Sequence, residues 1–554
     1  MARRALLRRG LVAVAGTALA AALTVAVVPA GASPADGTAA VPAVDWTPCG
    51  PGPYLGFDCA TYSVPLDYDE PALASVKLAL IRRPAGDPTS KIGSLFLNPG
   101  GPGDSGLAFA RGAVRNLFND EIRQKFDIVG FDPRGVGEST PIQCYGTDQE
   151  LQATLGPAQA VPLGAAQIAS TLRAYRTYSD DCGANAGQLL QHVSTLDVAK
   201  DLDLLRQAVG DSALTFAGYS YGTLIGATYA NLFPDRVRAL LLDGMVDPAE
   251  RTQRSLLNEL NRAGGLETAL SAFFRACVAA GPACAFSAGG DPAQKFAGLR
   301  ERLRHGPVTL SDGSTVTISA LTNYVGGQLY RPSVFATTAT VLQALYAEIV
   351  PSADTTQAGQ TTAAARQSAS SALASAADVE PLGEAYTGNS FDAQNAVNCV
   401  DKRLPRGQAG WPLIATLFEV AYRTFGRFQA FSASVCATWP VVTEERYAGP
   451  WDRPTSNTLL VVGTYYDPAT PYLFAQRAIR ELGDARLLSL AGYGHTSIRS
   501  SSTCLAQYTN AYLLTGMVPP EGTVCQPNSL PFGLPVGSVT APNQLAGLLP
   551  AGIG

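Results

Sequence analysis

The feature that most constrains this chain is a recurring unit: a short apolar run, a glycine-containing turn, then a loop or helical stretch. It begins with VKLALI (76–81) and continues through GSLFLNPGG (93–101), FDIVGFDPRG (126–135), ALTFAGYS (213–220) and VRALLLDGMVD (237–247). TLLVVGTYYDP (458–468) and ARLLSLAGYGH (485–495) close the series. The runs are apolar on both faces, as strands of a parallel sheet are when helices cover both sides. Between two of them, STLDVAKDLDLLRQAVG (194–210) has helical period, a Ser/Thr–Asp start and a closing glycine. This alternation predicts an α/β fold with a mostly parallel central sheet flanked by helices.

The rhythm stops between about residues 250 and 440. There LNELNRAGGLETALSAFFRACVAAG reads as helix and VTLSDGSTVTI as a small hairpin, while the Ala/Ser/Thr/Gln-rich tract 352–380 reads as a partly mobile surface segment. The expected plan is a signal peptide (1–32), a flexible leader or pro-segment (33–44) and the first part of the core (45–250). A large, mainly helical cap or lid insertion (251–440), the second part of the core (441–525) and an uncharged tail (526–554) follow. An insertion that leaves and re-enters a sheet on one side is placed to cover its catalytic face.

Residues 1–32 stand apart chemically. Arg3, Arg4, Arg8 and Arg9 precede the apolar LVAVAGTALAAALTVAVV, and Ala30-Gly31-Ala32 then reads as a signal-peptidase site. Export predicts a secreted, extracellular protein in an oxidising compartment. All ten cysteines lie in the mature part: Cys49, Cys59, Cys144, Cys182, Cys277, Cys284, Cys399, Cys436, Cys504 and Cys525. Pairing of sequence neighbours is the simplest connectivity, each bridge contributing roughly 2–4 kcal/mol. With no C-x2-C pair and three histidines, no metal site is expected. A net charge of -5 without basic runs argues against a nucleic-acid partner. No second apolar segment is long enough to span a bilayer, so no membrane association is expected after signal cleavage.

FAGYSYG (216–222) places Ser220 in a G-x-S-x-G pentapeptide at the end of an apolar run. Such a serine is a nucleophile only if a base takes its proton. Of His192, His305 and His495, only His495 follows both the serine and a final strand, the chain order of the nucleophile-elbow hydrolases. Two aspartates end strand runs, Asp243 and Asp467; Asp467 is the favoured acid and Asp243 its rival. Asn98-Pro99-Gly100-Gly101-Pro102-Gly103 follows SLFL, where Gly100 and Gly101 let backbone N–H groups approach a developing oxyanion. The N–H of Tyr221, next after the serine, is the expected second donor.

NPGGPGDSG (98–106), FDPRGVGES (131–139), GYSYG (218–222), YYDPATP (465–471) and GYGHTS (492–497), in this order, resemble the secreted tripeptidyl aminopeptidases of actinobacteria. These are α/β hydrolases related to the prolyl iminopeptidases, and the likeness runs from about Asp45 to Cys525. The part from about residue 400, with NCVD at 398–401, resembles the TAP-like C-terminal region of that family. The resemblance implies an α/β-hydrolase fold and a Ser220–His495–Asp467 triad, with an oxyanion loop at Gly100–Gly101. It also implies hydrolysis near the free N-termini of peptides or proteins, with tripeptides released, and no cofactor; a monomer is favoured. The substrate's ammonium group needs a carboxylate from the insertion, and Glu380, Glu384, Asp392 and Asp401 are candidates, Asp401 and Glu384 foremost. Two other readings stay open: an esterase or lipase with the same triad, and a non-catalytic binding protein on a hydrolase scaffold.

Overall fold

The computed structural model describes residues 41–350 and 388–542. The signal peptide, residues 33–40 of the leader, the whole Ala/Ser-rich tract 352–380 with Glu380, Glu384 and the last residues of the tail lie outside the described residues. The strands are β1 (Thr47–Pro48), β2 (Asp58–Pro65), β3 (Ser75–Arg83), β4 (Gly93–Asn98), β5 (Phe126–Phe131), β6 (Leu214–Tyr219) and β7 (Val237–Asp243). After them come β8 (Val308–Thr309), β9 (Thr315–Val316), β10 (Leu459–Tyr466), β11 (Ala485–Tyr493) and β12 (Val524–Cys525). All but β8 and β9 form one sheet in the order β1-β2-β3-β5-β4-β6-β7-β10-β11-β12.

From β5 to β12 every pairing is parallel, whereas β1, β2 and β3 add on antiparallel at one edge. The run at 76–81 is therefore an antiparallel strand, which its apolar composition did not reveal. Its partner β2 is absent from the sequence-based strand series. Exposed and buried residues alternate along its second half, a one-sided edge pattern rather than a continuous apolar run. The parallel register levels the strand ends that matter: Asn98 lies opposite Gly218, Tyr219 opposite Asp243, and Asp243 opposite Val462.

One core lies where the strands meet the helix Gly106–Asn116 and the helix Thr503–Thr515, with Leu97, Ile128, Leu241, Val462, Leu490 and Tyr512 buried in it. A second core belongs to the segment between β7 and β10. Its helices Ser255–Ala280, Pro292–Arg304, Ile318–Gln328 and Phe335–Ile349 pack around Phe273, Phe286, Leu299 and Leu342, and β8 and β9 form the small hairpin anticipated there. Tyr466 and Tyr493 carry this core down to the sheet. The tail joins it too: Leu530 and Val539 are buried there, and Phe532 lies 6.1 Å from Phe273, ring to ring. Five disulfides join sequence neighbours: Cys49–Cys59, Cys144–Cys182, Cys277–Cys284, Cys399–Cys436 and Cys504–Cys525.

Candidate active site

Ser220 sits between the last residue of β6 and the helix Gly222–Leu232, with φ of 54°, a left-handed conformation that costs a non-glycine residue free energy. The turn is held on both sides. Ser220 donates its N–H to the Asp243 carbonyl (2.9 Å), and its own carbonyl accepts the Thr223 hydroxyl (2.6 Å). The flanking glycines are steric requirements: a Cβ on Gly218 would stand 2.4 Å from the Gly222 carbonyl oxygen, and one on Gly222 would stand 2.7 Å from that of Asn98.

Gly100 comes closest to the elbow. Its φ is +100°, and a Cβ there would lie 2.5 Å from the Tyr219 carbonyl and 2.8 Å from the Tyr221 nitrogen. Gly100 donates its own N–H to Asn98 Oδ1 (3.0 Å), so its part is close approach and turn geometry rather than donation to an oxyanion. That corrects the expectation that both glycines donate. Gly101, at φ +98°, lines the cavity with Ser220 and Tyr221.

His495 follows β11. Its Nδ1 stands 2.9 Å from Asp467 Oδ1 and 3.0 Å from Oδ2. Asp467 has no exposed side-chain surface and also accepts the N–H groups of Ala469, Thr470 and Thr496, each at 2.9 Å, and the Thr470 hydroxyl at 3.0 Å. Such an arrangement can hold the imidazole proton on Nδ1 and leave Nε2 free to take one up. The loop is pinned from the cap side as well. His495 donates its N–H to the Tyr330 carbonyl (3.1 Å), and the Tyr330 ring meets the imidazole edge-on at 5.1 Å.

The rival residues are engaged elsewhere. The Asp243 carboxylate accepts the N–H and hydroxyl of Ser497, and burial pushes its pKa up to about 6. His192 lies 3.7 Å from Glu445, and His305 is an exposed side chain beside Glu301.

Ser220, Tyr221, Gly101 and His495 line one cavity of about 370 Å³. Its far wall comes from the cap and holds charged groups that sequence reasoning missed: Arg251, Glu259, Arg262 and Lys402, with Asp104 and Arg499 on the hydrolase side. Glu259 accepts Lys402 Nζ at 2.6 Å and Arg262 at 3.1 Å. The only sequence signal for this group was the Glu259–Arg262 spacing, which any solvated helix shows. Asp401 is not a cavity residue: its carboxylate accepts the Thr195 hydroxyl (2.6 Å) and N–H (2.9 Å) behind the wall. Asp392 is likewise buried, accepting Tyr178 and the Cys144 N–H. The expectation that Asp401 meets the substrate's ammonium group is therefore corrected, because the residue is buried off the cavity with Thr195 bonded to both carboxylate oxygens.

A family model described as a TAP-like protein matches residues 422–525, and one described as the alpha/beta hydrolase fold matches residues 93–274. The chain is 34% identical over 499 residues to the "Serine protease Hip1" of Mycobacterium tuberculosis, covering 87% of this chain and 91% of that protein. It is 29% identical over 516 residues to the "Tripeptidyl aminopeptidase" of Streptomyces lividans, covering 90% of each. A "Carboxylesterase B" of Mycobacterium tuberculosis is 32% identical over 484 residues, covering 85% of this chain and 86% of that one.

Proposed function

The chain belongs to the TAP-like family of α/β hydrolases and is a serine peptidase, and from that premise we propose that it is a secreted exopeptidase that releases tripeptides from free N-termini. Ser220 is the nucleophile, His495 the base and Asp467 the orienting acid in this reading. The observation that carries it is the 2.9 Å contact of Asp467 with His495 Nδ1, on an imidazole that shares its cavity with Ser220.

Ser220 Oγ attacks the scissile carbonyl carbon while Nε2 of His495 takes its proton. The negative charge that develops on the carbonyl oxygen is met by the N–H groups of Gly101 and Tyr221. Asp467 stabilises the imidazolium without taking its proton. The imidazolium then gives the proton to the departing amine, and an ester to Ser220 remains. Water, deprotonated by the same histidine, attacks that ester and frees the peptide acid. The ammonium group of the substrate is met by Asp104, a cavity carboxylate that, unlike Glu259, has no cation in contact with it among the described residues.

Export is supported by five disulfides and by the basic-apolar leader in the sequence. Among the described residues no helix is long and apolar enough to cross a membrane. A second reading, hydrolysis of esters by the same triad, is favoured by the relative named a carboxylesterase. A free-amino tripeptide anilide, its N-acylated counterpart, a single-residue anilide and a short-chain ester separate the two. The free tripeptide is expected to be cleaved best and Ser220→Ala to abolish turnover; equal cleavage of the N-acylated peptide would overturn the exopeptidase reading.

A further inference from the structure

Behind the nucleophile, a buried chain of hydrogen bonds runs from the hydrolase core into the cap. The phenol oxygen of Tyr221 lies 2.7 Å from Thr195 Oγ1, which donates its own proton to Asp401 Oδ2 at 2.6 Å. With that proton spent on the carboxylate, Tyr221 must be the donor of the first link. Thr195 also donates its N–H to Asp401 Oδ1 at 2.9 Å, so the carboxylate grips the residue that opens the helix Thr195–Ala208 at two points. The ring of Tyr221 lies 5.5 Å from the Arg251 guanidinium, which donates to Asn398 on the same cap helix that ends in Asp401. Tyr221 is 4% exposed, Thr195 3% and Asp401 2%.

Ordinary packing does not call for this network. Tyr221 directly follows Ser220, and its backbone nitrogen is the one a Cβ on Gly100 would touch. A phenol fixed at its far end, with a cation over its face, holds the whole residue and therefore its N–H. We propose that Thr195 and Asp401 are positioning residues for the oxyanion hole, acting through the Tyr221 side chain. The cap thereby sets the alignment of the second oxyanion donor. This rests on the reading of Tyr221 as that donor.

Donors aimed at an oxyanion matter in the transition state and not in the ground state. Tyr221→Phe, which removes one oxygen, and Thr195→Val, which is close in size, are thus expected to lower kcat about ten-fold, short of the 100-fold or more seen when a donor is lost outright. KM for the tripeptide anilide should stay within about two-fold, while a tripeptide aldehyde, whose adduct with Ser220 places an oxyanion in the hole, should bind about ten-fold more weakly. Thr195→Ser keeps the hydroxyl and should restore both values. Unchanged kcat and aldehyde affinity in Tyr221→Phe, with melting temperature also unchanged, would overturn the proposal. So would a loss confined to KM. If instead Ser220→Ala still turns over the anilide, the underlying triad reading fails first, independently of this network.

Discussion

Ser497 donates its hydroxyl to Asp243 Oδ2 at 2.6 Å, two residues beyond the imidazole that turns instead to Asp467. Two buried aspartates thus hold one loop, Asp243 through Ser497 and Asp467 through His495 and Thr496. Register explains the division: β7 and β10 are neighbours, with Asp243 opposite Val462, while Asp467 lies beyond the end of β10 where the loop after β11 crosses.

Asp467→Asn should therefore lower kcat by about four orders of magnitude, because an amide facing Nδ1 favours the wrong tautomer. Asp243→Asn leaves that contact intact and should lower kcat by less than about ten-fold, with a drop in melting temperature from the weakened grip on Ser497. Steady-state kinetics of the two variants decide the matter; a larger kcat loss in Asp243→Asn would reverse the assignment.

At Gly100 the atoms around the missing Cβ are the Tyr219 carbonyl, the Tyr221 nitrogen and the Ser220 Cβ, all within 2.9 Å, and none is the end of a flexible side chain. Gly100→Ala must push the Gly100–Gly101 loop, the proposed oxyanion loop, away from the elbow, and at φ +100° it is strained as well. A kcat loss of about 100-fold or more is expected. Gly112 supplies the control: it lies in the helix Gly106–Asn116 with nothing within 4 Å of an added Cβ, so Gly112→Ala should keep full activity and gain roughly 0.5–1 kcal/mol.

The parallel strands and the elbow were legible in the sequence because burial on both faces leaves unbroken apolar runs that glycines punctuate. The half-exposed β2 left no such run, and the antiparallel direction of β3 depends on pairing partners that composition does not record. At the candidate site, chain order and strand ends were enough to single out Ser220, His495 and Asp467, which the structure places around one cavity or at its edge. The cavity wall is different: Glu259, Arg262 and Lys402 meet only when the helix Ser255–Ala280 packs against the end of the helix Asn389–Asp401, and each alone reads as a surface charge. Asp401 misled for the same reason, since its partner Thr195 is more than two hundred residues away along the chain.

Asp104 bears on pH dependence. Asp104 keeps an exposed surface in the cavity, yet partial desolvation by the surrounding wall raises its carboxyl above the ordinary Asp value, partly offset by the Ser390 hydroxyl and by Arg499. If the ionised form holds the substrate's ammonium group, KM for a free-amino tripeptide anilide should rise as pH falls, beginning at a higher pH than an Asp of ordinary pKa would give. Asp104→Asn should raise that KM about ten-fold at neutral pH and flatten its pH dependence, leaving KM for the N-acylated peptide unchanged. Parallel pH–KM curves for wild type and Asp104→Asn would remove Asp104 from this role.

The Glu259–Lys402 pair makes the cap's fold acid-sensitive. Burial alone would raise the Glu259 carboxyl, but Lys402 and Arg262 pull it down to about 2. Its folded pKa thus lies below its unfolded one, so its contribution is fully present above about pH 4.5 and is lost as pH falls toward 2. Glu259→Gln should show the same loss at neutral pH, because Lys402 keeps its burial and loses its counter-ion, at a cost of about 3–5 kcal/mol. Glu259→Leu/Lys402→Met removes both charges and should recover much of that stability, since an apolar pair of similar volume needs no partner. Calorimetric melting from pH 2 to pH 8 tests the scheme. The wild type should lose stability across the acid window and the double variant should lose less, while Glu259→Gln should melt below both at pH 7. A double variant as unstable as Glu259→Gln would show that the pair holds the cap by packing rather than by charge.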